Sequence, residues 1–209
     1  MYEKELKNAL TRCLEEKGTR KFKQSVDLII NLRNVDFTKP ENRLNMDIIL
    51  PYSTQKDYKV VIFADGAVNS EAKKRTPYVF SSDSIPQLKN DKKLLKELVK
   101  NGIFLAQPQI LPLVAKNLGA VLGKKGKLPK PLGNDIDTSI EQAKRTVKIQ
   151  TKGKYLPTLM TMIGKEDMDI EKLTENAVTV IDNIQKKLPG ATLKSVYVKL
   201  TMGKPVKAI

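Results

Sequence analysis

Two kinds of strand pattern occur in this chain, and their order constrains the fold. Over residues 25–32, Val26, Leu28, Ile30 and Leu32 alternate with Ser25, Asp27, Ile29 and Asn31. Near the other end the alternation returns, with Val196, Val198, Leu200 and Met202 set against Ser195, Tyr197, Lys199 and Thr201. A period of two marks a strand with one face on a core and the other toward solvent, the habit of antiparallel sheets. Between them, residues 59–64 (Lys-Val-Val-Ile-Phe-Ala) run almost unbroken in apolar side chains up to Asp65-Gly66. That run predicts a strand covered on both faces, as in a parallel sheet.

Around this run the chain follows β-α-β-α grammar. Helical spacing covers residues 68–75 and 86–100, a short strand covers 102–106, and helical spacing resumes over 109–118. A loop rich in Gly, Lys and Pro spans 119–134, and a short helix spans 135–144. Outside this middle part, residues 2–17 put Leu6, Leu10, Cys13 and Leu14 on one helical stripe that ends at Gly18. Residues 44–50 form a second alternating strand, read as antiparallel with the first across Lys39-Pro40-Glu41-Asn42. Residues 146–151 and 155–163 read as two strands joined at Lys152-Gly153-Lys154, and a long helix carries Ile170, Leu173, Ala177, Ile181, Ile184 and Leu188 before Pro189-Gly190. The expectation is a mixed α/β protein of two lobes. The terminal pieces, 1–64 and 154–209, together build an α+β lobe with an antiparallel sheet; residues 65–153 form an inserted α/β lobe, with crossings near Asp65 and Gly153.

Charge and missing residue types narrow the chemistry. Lys and Arg number 38 against 23 Asp and Glu, a balance of +15, so the surface carries a positive field suited to an anionic partner. No apolar run approaches the ~18 residues that span a bilayer, and no signal-peptide or lipidation motif opens the chain, so a soluble cytoplasmic protein without a membrane partner is expected. Without histidine there is no imidazole base, no Ser-His-Asp triad and no His-bound metal. The lone Cys13, on an apolar helical stripe, reads as a small buried residue. No cofactor or metal is expected.

The residues with binding chemistry lie toward the two ends. Lys21-Phe22-Lys23 sets a ring between two cations just before the first strand, a combination in which the ring can stack on a base while lysines meet phosphates. The row Ser195, Tyr197, Lys199, Thr201 offers hydroxyls, an aromatic and a cation without a carboxylate. Thr201-Met202-Gly203-Lys204 adds a hydroxyl suited to a ribose 2′-OH and a glycine that permits close backbone approach. Each pattern also fits an ordinary structural role: a solvated strand face, a core phenylalanine, a strand-end glycine. The stretch Gly119-Ala120-Val121-Leu122-Gly123-Lys124-Lys125 fails as a phosphate-binding Walker loop, because its first glycine stands one residue too close and Lys125 occupies the Ser/Thr position. A basic loop touching RNA phosphates and a solvated turn both remain open there. Residues 64–154 hold 18 basic and 8 acidic side chains and the rest 20 and 15, yet charge supplies sequence-blind affinity whereas stacking and hydrogen bonds supply specificity. The less charged lobe can therefore still be the reader.

Taken in order, Lys21-Phe22-Lys23-Gln24-Ser25-Val26-Asp27, Leu118-Gly119 with Gly126-Lys127-Leu128-Pro129-Lys130-Pro131, Ile163-Gly164-Lys165, Glu175-Asn176-Ala177 and the stretch from Ser195 to Gly203 resemble the L-one family of large-subunit ribosomal proteins, in its archaeal form. The middle loop reads Leu-Pro-Lys-Pro where bacterial members have Pro-Asn-Pro-Lys. The resemblance implies that the inserted lobe is Rossmann-like and opens and closes against an rRNA-binding lobe. It further implies a non-catalytic role at the mobile lateral stalk of the large subunit, where deacylated E-site tRNA leaves, and repression of translation through the chain's own mRNA leader. Off the ribosome the chain would be a monomer. Carried over residue by residue, the RNA contacts would be Lys21, Phe22, Ser25, Ser195, Tyr197, Thr201, Met202 and Gly203, with Arg43 and Lys165 as further candidates. The competing readings are a nucleotide-binding enzyme using strand ends near Asp65-Gly66, supported by fold analogy alone, and a general basic RNA chaperone.

Overall fold

The computed structural model describes residues 2–151 and 156–209. In chain order the elements are α1 (Glu3–Glu15), β1 (Ser25–Arg33), β2 (Asn45–Ile49), β3 (Lys59–Phe63), α2 (Gly66–Ala72), β4 (Tyr78–Phe80), α3 (Ile85–Asn90), α4 (Lys92–Asn101), β5 (Gly102–Ala106), α5 (Leu111–Lys124), β6 (Lys130–Pro131), α6 (Ile136–Arg145), β7 (Thr146–Gln150), β8 (Thr158–Lys165), α7 (Ile170–Lys187), β9 (Thr192–Leu200) and β10 (Val206–Lys207). They form two compact units, Met1–Lys56 with Arg145–Ile209, and Asp57–Lys144.

The crossings thus fall after Lys56 and before Arg145, rather than near Asp65 and Gly153. Pairing explains both differences. β3 lies in parallel between β4 and β5, so it belongs to the inserted unit. β7 pairs antiparallel with β2 and so belongs to the outer one. The same pairing corrects the expected β1–β2 partnership: β1 runs between β8 and β9 instead. The expected join at Lys152-Gly153-Lys154, with Tyr155, lies outside the described residues.

In the outer unit a four-stranded antiparallel sheet has the order β10-β9-β1-β8. The alternation of β1 sends Val26, Leu28, Ile30 and Leu32 to one face, where they meet Val196, Val198 and Leu200 of β9 and Leu159 and Ile163 of β8. That face is closed by α1, through Leu6, Leu10 and the buried Cys13, and by α7, through Leu173, Ala177, Val180, Ile181 and Ile184. The β2–β7 ribbon adds Ile48, Val147 and Ile149 to the same core.

One buried polar residue ties this core to the segment that leads out of the unit. Asn176 on α7 is fully buried; its Oδ1 accepts from the Tyr52 N–H at 3.0 Å, and its Nδ2 donates to the carbonyls of Tyr52 (3.2 Å) and Ile163 (2.8 Å). A single carboxamide thereby satisfies three backbone groups, the Ile163 carbonyl fully buried and the two of Tyr52 partly so. Lys172, one turn earlier on α7, lies 5.9 Å over the Tyr52 ring.

In the inserted unit a parallel sheet has the order β4-β3-β5-β6. The unbroken apolar run is used on both faces, as expected. Val61 and Phe63 pack with Phe104 against α3, α4 and α5, while Val60, Ile62 and Ala64 pack with Leu105 against Ala72 of α2 and Ile136 and Ala143 of α6. Two local expectations change. The stretch expected as one helix from 86 to 100 breaks at Asp91, whose side chain caps α4 by accepting from the Leu94 N–H at 3.0 Å. The helix expected to stop at 118 continues to Lys124, because Leu122 extends the buried stripe of Val114 and Leu118. Gly119 and Gly123 are therefore helical rather than loop residues.

Candidate nucleic-acid interface

The site begins where three strands of the outer unit end together. Ser25 opens β1 opposite Lys165 at the end of β8, and Thr201 follows the last residue of β9. The Thr201 N–H donates to the Ser25 carbonyl, while the Ser25 N–H donates to Thr201 Oγ1, each at 3.1 Å. The final rung of the ladder thus closes through a side chain. The chain then turns, with the Gly203 N–H donating to the Leu200 carbonyl at 3.0 Å. A Cβ on Gly203 would come within 3.1 Å of Leu200 Cβ, so the turn is tight enough to favour glycine.

Gln24, only 2 % exposed, holds the neighbouring strand ends to this turn. Its Oε1 accepts from the Met202 N–H at 3.1 Å, its Nε2 donates to the Lys17 carbonyl at 3.0 Å, and its own carbonyl accepts from the Glu166 N–H at 3.0 Å. With the backbone fixed, two apolar side chains stand in solvent: Met202 at 60 % and Phe22 at 54 % exposure. Large exposed apolar groups beside cations are what a stacking surface requires. Gln24 is not among the residues singled out by sequence. Its signal was its phase: it falls on the inward register of β1, two residues before Val26, where a polar side chain must find partners.

Of the ten sequence candidates, Ser25, Lys165, Thr201, Met202 and Gly203 gather at this edge, with Lys21 and Phe22 on the segment entering β1. Met202 departs from its inward expectation because β9 ends at Leu200 and the turn breaks the phase. Ser195 is buried (8 %) rather than solvent-facing, and its hydroxyl oxygen accepts from Asn31 Nδ2 at 2.9 Å. Asn31 Oδ1 in turn accepts from Thr158 Oγ1 at 2.8 Å, which completes a polar row across three strands. At a rise of ~3.3 Å per residue Ser195 stands about 20 Å up the strand from Thr201. Tyr197 lies between them, half-buried opposite Ile29 and Lys207. Arg43 belongs elsewhere, at the entrance to β2, where its guanidinium donates to the carbonyls of Phe37 (3.2 Å) and Thr38 (2.8 Å) and so supports that loop.

The charges are unevenly committed. Lys23 pairs with Asp167 and holds that carboxyl below its ordinary range, and Lys199 Nζ donates to the Thr201 carbonyl at 3.4 Å. Lys21 is exposed. Asp27, opposite Lys199 on the outer face of β1, titrates above the usual carboxylate range because burial outweighs the nearby cation. A raised carboxyl pKa contributes stability below its unfolded value of ~3.9 and loses it as pH rises through the folded value. Asp27→Asn should therefore match the wild type in acid and melt at higher temperature at pH 7; equal melting temperatures at both pH values would contradict this.

The family described as "Ribosomal protein L1p/L10e family" matches residues 13–204 by its sequence model. The chain belongs to this family. Its relatives include proteins named "Large ribosomal subunit protein uL1" from Thermofilum pendens, 42 % identical over 90 % of this chain and 85 % of that protein, and from Methanosarcina acetivorans, 36 % identical over the full length of both. The protein of the same name from Thermoplasma acidophilum is 35 % identical over 97 % of this chain and 95 % of its own. These archaeal relatives agree with the form indicated by the middle loop, and the ribosomal family is structural rather than enzymatic.

The inserted unit has local reasons not to act as a phosphate site. At the strand ends the Asp65 carboxylate accepts from the N–H (2.9 Å) and the hydroxyl of Ser82, and the Asp65 N–H donates to Gln107 Oε1 at 3.1 Å. In the basic loop, Lys127 Nζ donates to the carbonyls of Lys100 (3.1 Å) and Gly102 (3.3 Å), placing a cation at the negative end of α4. Lys127→Ala should lower stability by about 1 kcal/mol while leaving the salt dependence of RNA binding unchanged. A flatter salt slope would return Lys127 to the phosphate backbone.

Proposed function

We infer that this chain, a component of the large ribosomal subunit, holds the rRNA of the mobile lateral stalk at the edge where β1, β8 and β9 meet. The observation that carries this reading is the exposed pair Phe22 and Met202 on a backbone locked by Gln24, Ser25 and Thr201, with Lys21 and Lys165 alongside. Stacking and ribose contacts from that edge give specificity, and the balance of +15 supplies general affinity. From the stalk the protein takes part in release of deacylated tRNA from the E site. Free of the ribosome, in the cytoplasm, it is a monomer that represses its own mRNA by binding a leader that imitates the rRNA site.

Sequencing the RNA that co-purifies at moderate salt tests the reading. Enrichment of large-subunit rRNA and of the chain's own leader supports it. RNA of all kinds in proportion to abundance would indicate a general chaperone, and no RNA with measurable ATP or GTP binding would indicate the nucleotide enzyme. Repression is checked separately with a reporter behind the chain's own leader, which should fall in output when the protein is supplied; unchanged output would limit the function to the ribosome.

A further inference from the structure

We propose that a crevice in the inserted unit, at the carboxyl ends of its parallel strands, binds a guanine base. The sheet order β4-β3-β5-β6 means that the chain leaves β3 toward one neighbour and returns by β5 on the other side. Such a switch point opens a crevice beyond the strand ends where open α/β sheets take ligands. Here it measures about 340 Å³, bounded by residues of α2, of the turns after β5 and β6, and of α6. That volume is at the small end of the ~300–1,000 Å³ typical of ligand sites, suited to one base with its sugar rather than to a dinucleotide.

The lining selects the chemistry. Val68, Leu132 and Ile136 supply apolar wall, and no lysine or arginine is present to hold a phosphate. The polar side chains are the Glu71 carboxylate and the carboxamides of Gln107, Gln109 and Asn134. Gln107 Oε1 accepts from the Asp65 N–H, which fixes the carboxamide and leaves both hydrogens of Nε2 to donate. A carboxylate accepts from two adjacent N–H groups, and guanine offers that pair at N1 and the exocyclic amine; its O6 and N7 then suit the carboxamide donors. Adenine would set the bare acceptor N1 against the same carboxylate, a repulsive contact. The base could come from free guanosine or from an unpaired guanine in RNA, and the recognition chemistry is the same in both.

The test titrates isotope-labelled full-length protein, followed by NMR, with guanosine, adenosine and a short RNA hairpin carrying one unpaired loop guanine. Saturable shifts of the Val68, Gln107, Gly133 and Asn134 amides with guanosine, the guanine hairpin or both are expected, and whichever ligand acts identifies the source. Adenosine and a hairpin with adenine in that loop position should bind at least about tenfold more weakly, and Glu71→Gln should weaken guanine binding by about tenfold, a bidentate contact's worth. Glu71 is exposed, so this variant is expected to keep the wild-type fold, seen as unchanged amide shifts away from the crevice. Absence of saturable shifts at these amides with every ligand, equal response to guanine and adenine, or unchanged binding by the variant would overturn the proposal. None of these outcomes depends on the rRNA edge, which belongs to the other unit.

Discussion

Phe22→Ala is expected to weaken binding to the proposed stalk rRNA site by about 1–3 kcal/mol, the range of a single base–aromatic stack, and Thr201→Val by a similar amount. The two act by different routes. Phe22 has 54 % of its surface in solvent and no structural duty that its exposure suggests, so its truncation removes contact area and leaves the fold intact. Thr201 Oγ1 accepts the Ser25 N–H and its hydroxyl donates to the Ser25 carbonyl at 3.3 Å, so Val removes the rung that fixes the turn together with the one lone pair left for a ribose 2′-OH. Neither change removes a charge, so the slope of log affinity against log salt stays at the wild-type value for both. Binding measured at three or four salt concentrations reads affinity and slope together. Wild-type affinity in both variants would remove this edge from the RNA interface.

Asn176→Ala has the largest expected effect on stability, about 3 kcal/mol, since it strands the buried Ile163 carbonyl and the partly buried N–H and carbonyl of Tyr52 at once. Asn176→Asp sharpens the point. It keeps an acceptor for the Tyr52 N–H but turns an oxygen toward the carbonyls of Tyr52 and Ile163, so the ionised form is repelled and the folded-state pKa rises. Its deficit should therefore be smallest in acid and grow as pH rises through that raised value. Urea unfolding of both variants at two pH values checks this; an Asp variant whose deficit is the same at pH 5 and pH 8 would contradict the assigned hydrogen bonds.

Hydrophobic period carried much of the architecture in plain view. The alternation in β1 and β9 and the two-sided apolar run in β3 separate an antiparallel sheet from a parallel one, because burial on one face or both leaves different side chains free to be polar. Partner choice was not written locally. Nothing in residues 44–50 says that their strand pairs with one a hundred residues later, and so both crossings were displaced by several residues. At the candidate edge, the residues proposed to meet RNA were legible as Phe22 and Thr201-Met202-Gly203. The residue that holds them, Gln24, was visible only as a polar group in an apolar phase. Ser195 misled for the converse reason: alternation assigns it a face, but not the Asn31 carboxamide that occupies its hydroxyl and is itself held by Thr158.

The edge where β1, β8 and β9 meet is the proposed contact with large-subunit rRNA. Ultraviolet cross-linking of intact large subunits, followed by mass spectrometry of the linked peptides and sequencing of the linked RNA, addresses it directly. The expected result is cross-links from Phe22 and from the Thr201-Met202-Gly203 turn to one contiguous segment of stalk rRNA. Cross-links confined to the lysine-rich segment 124–130, with the Phe22 and Met202 peptides recovered unmodified, would contradict it.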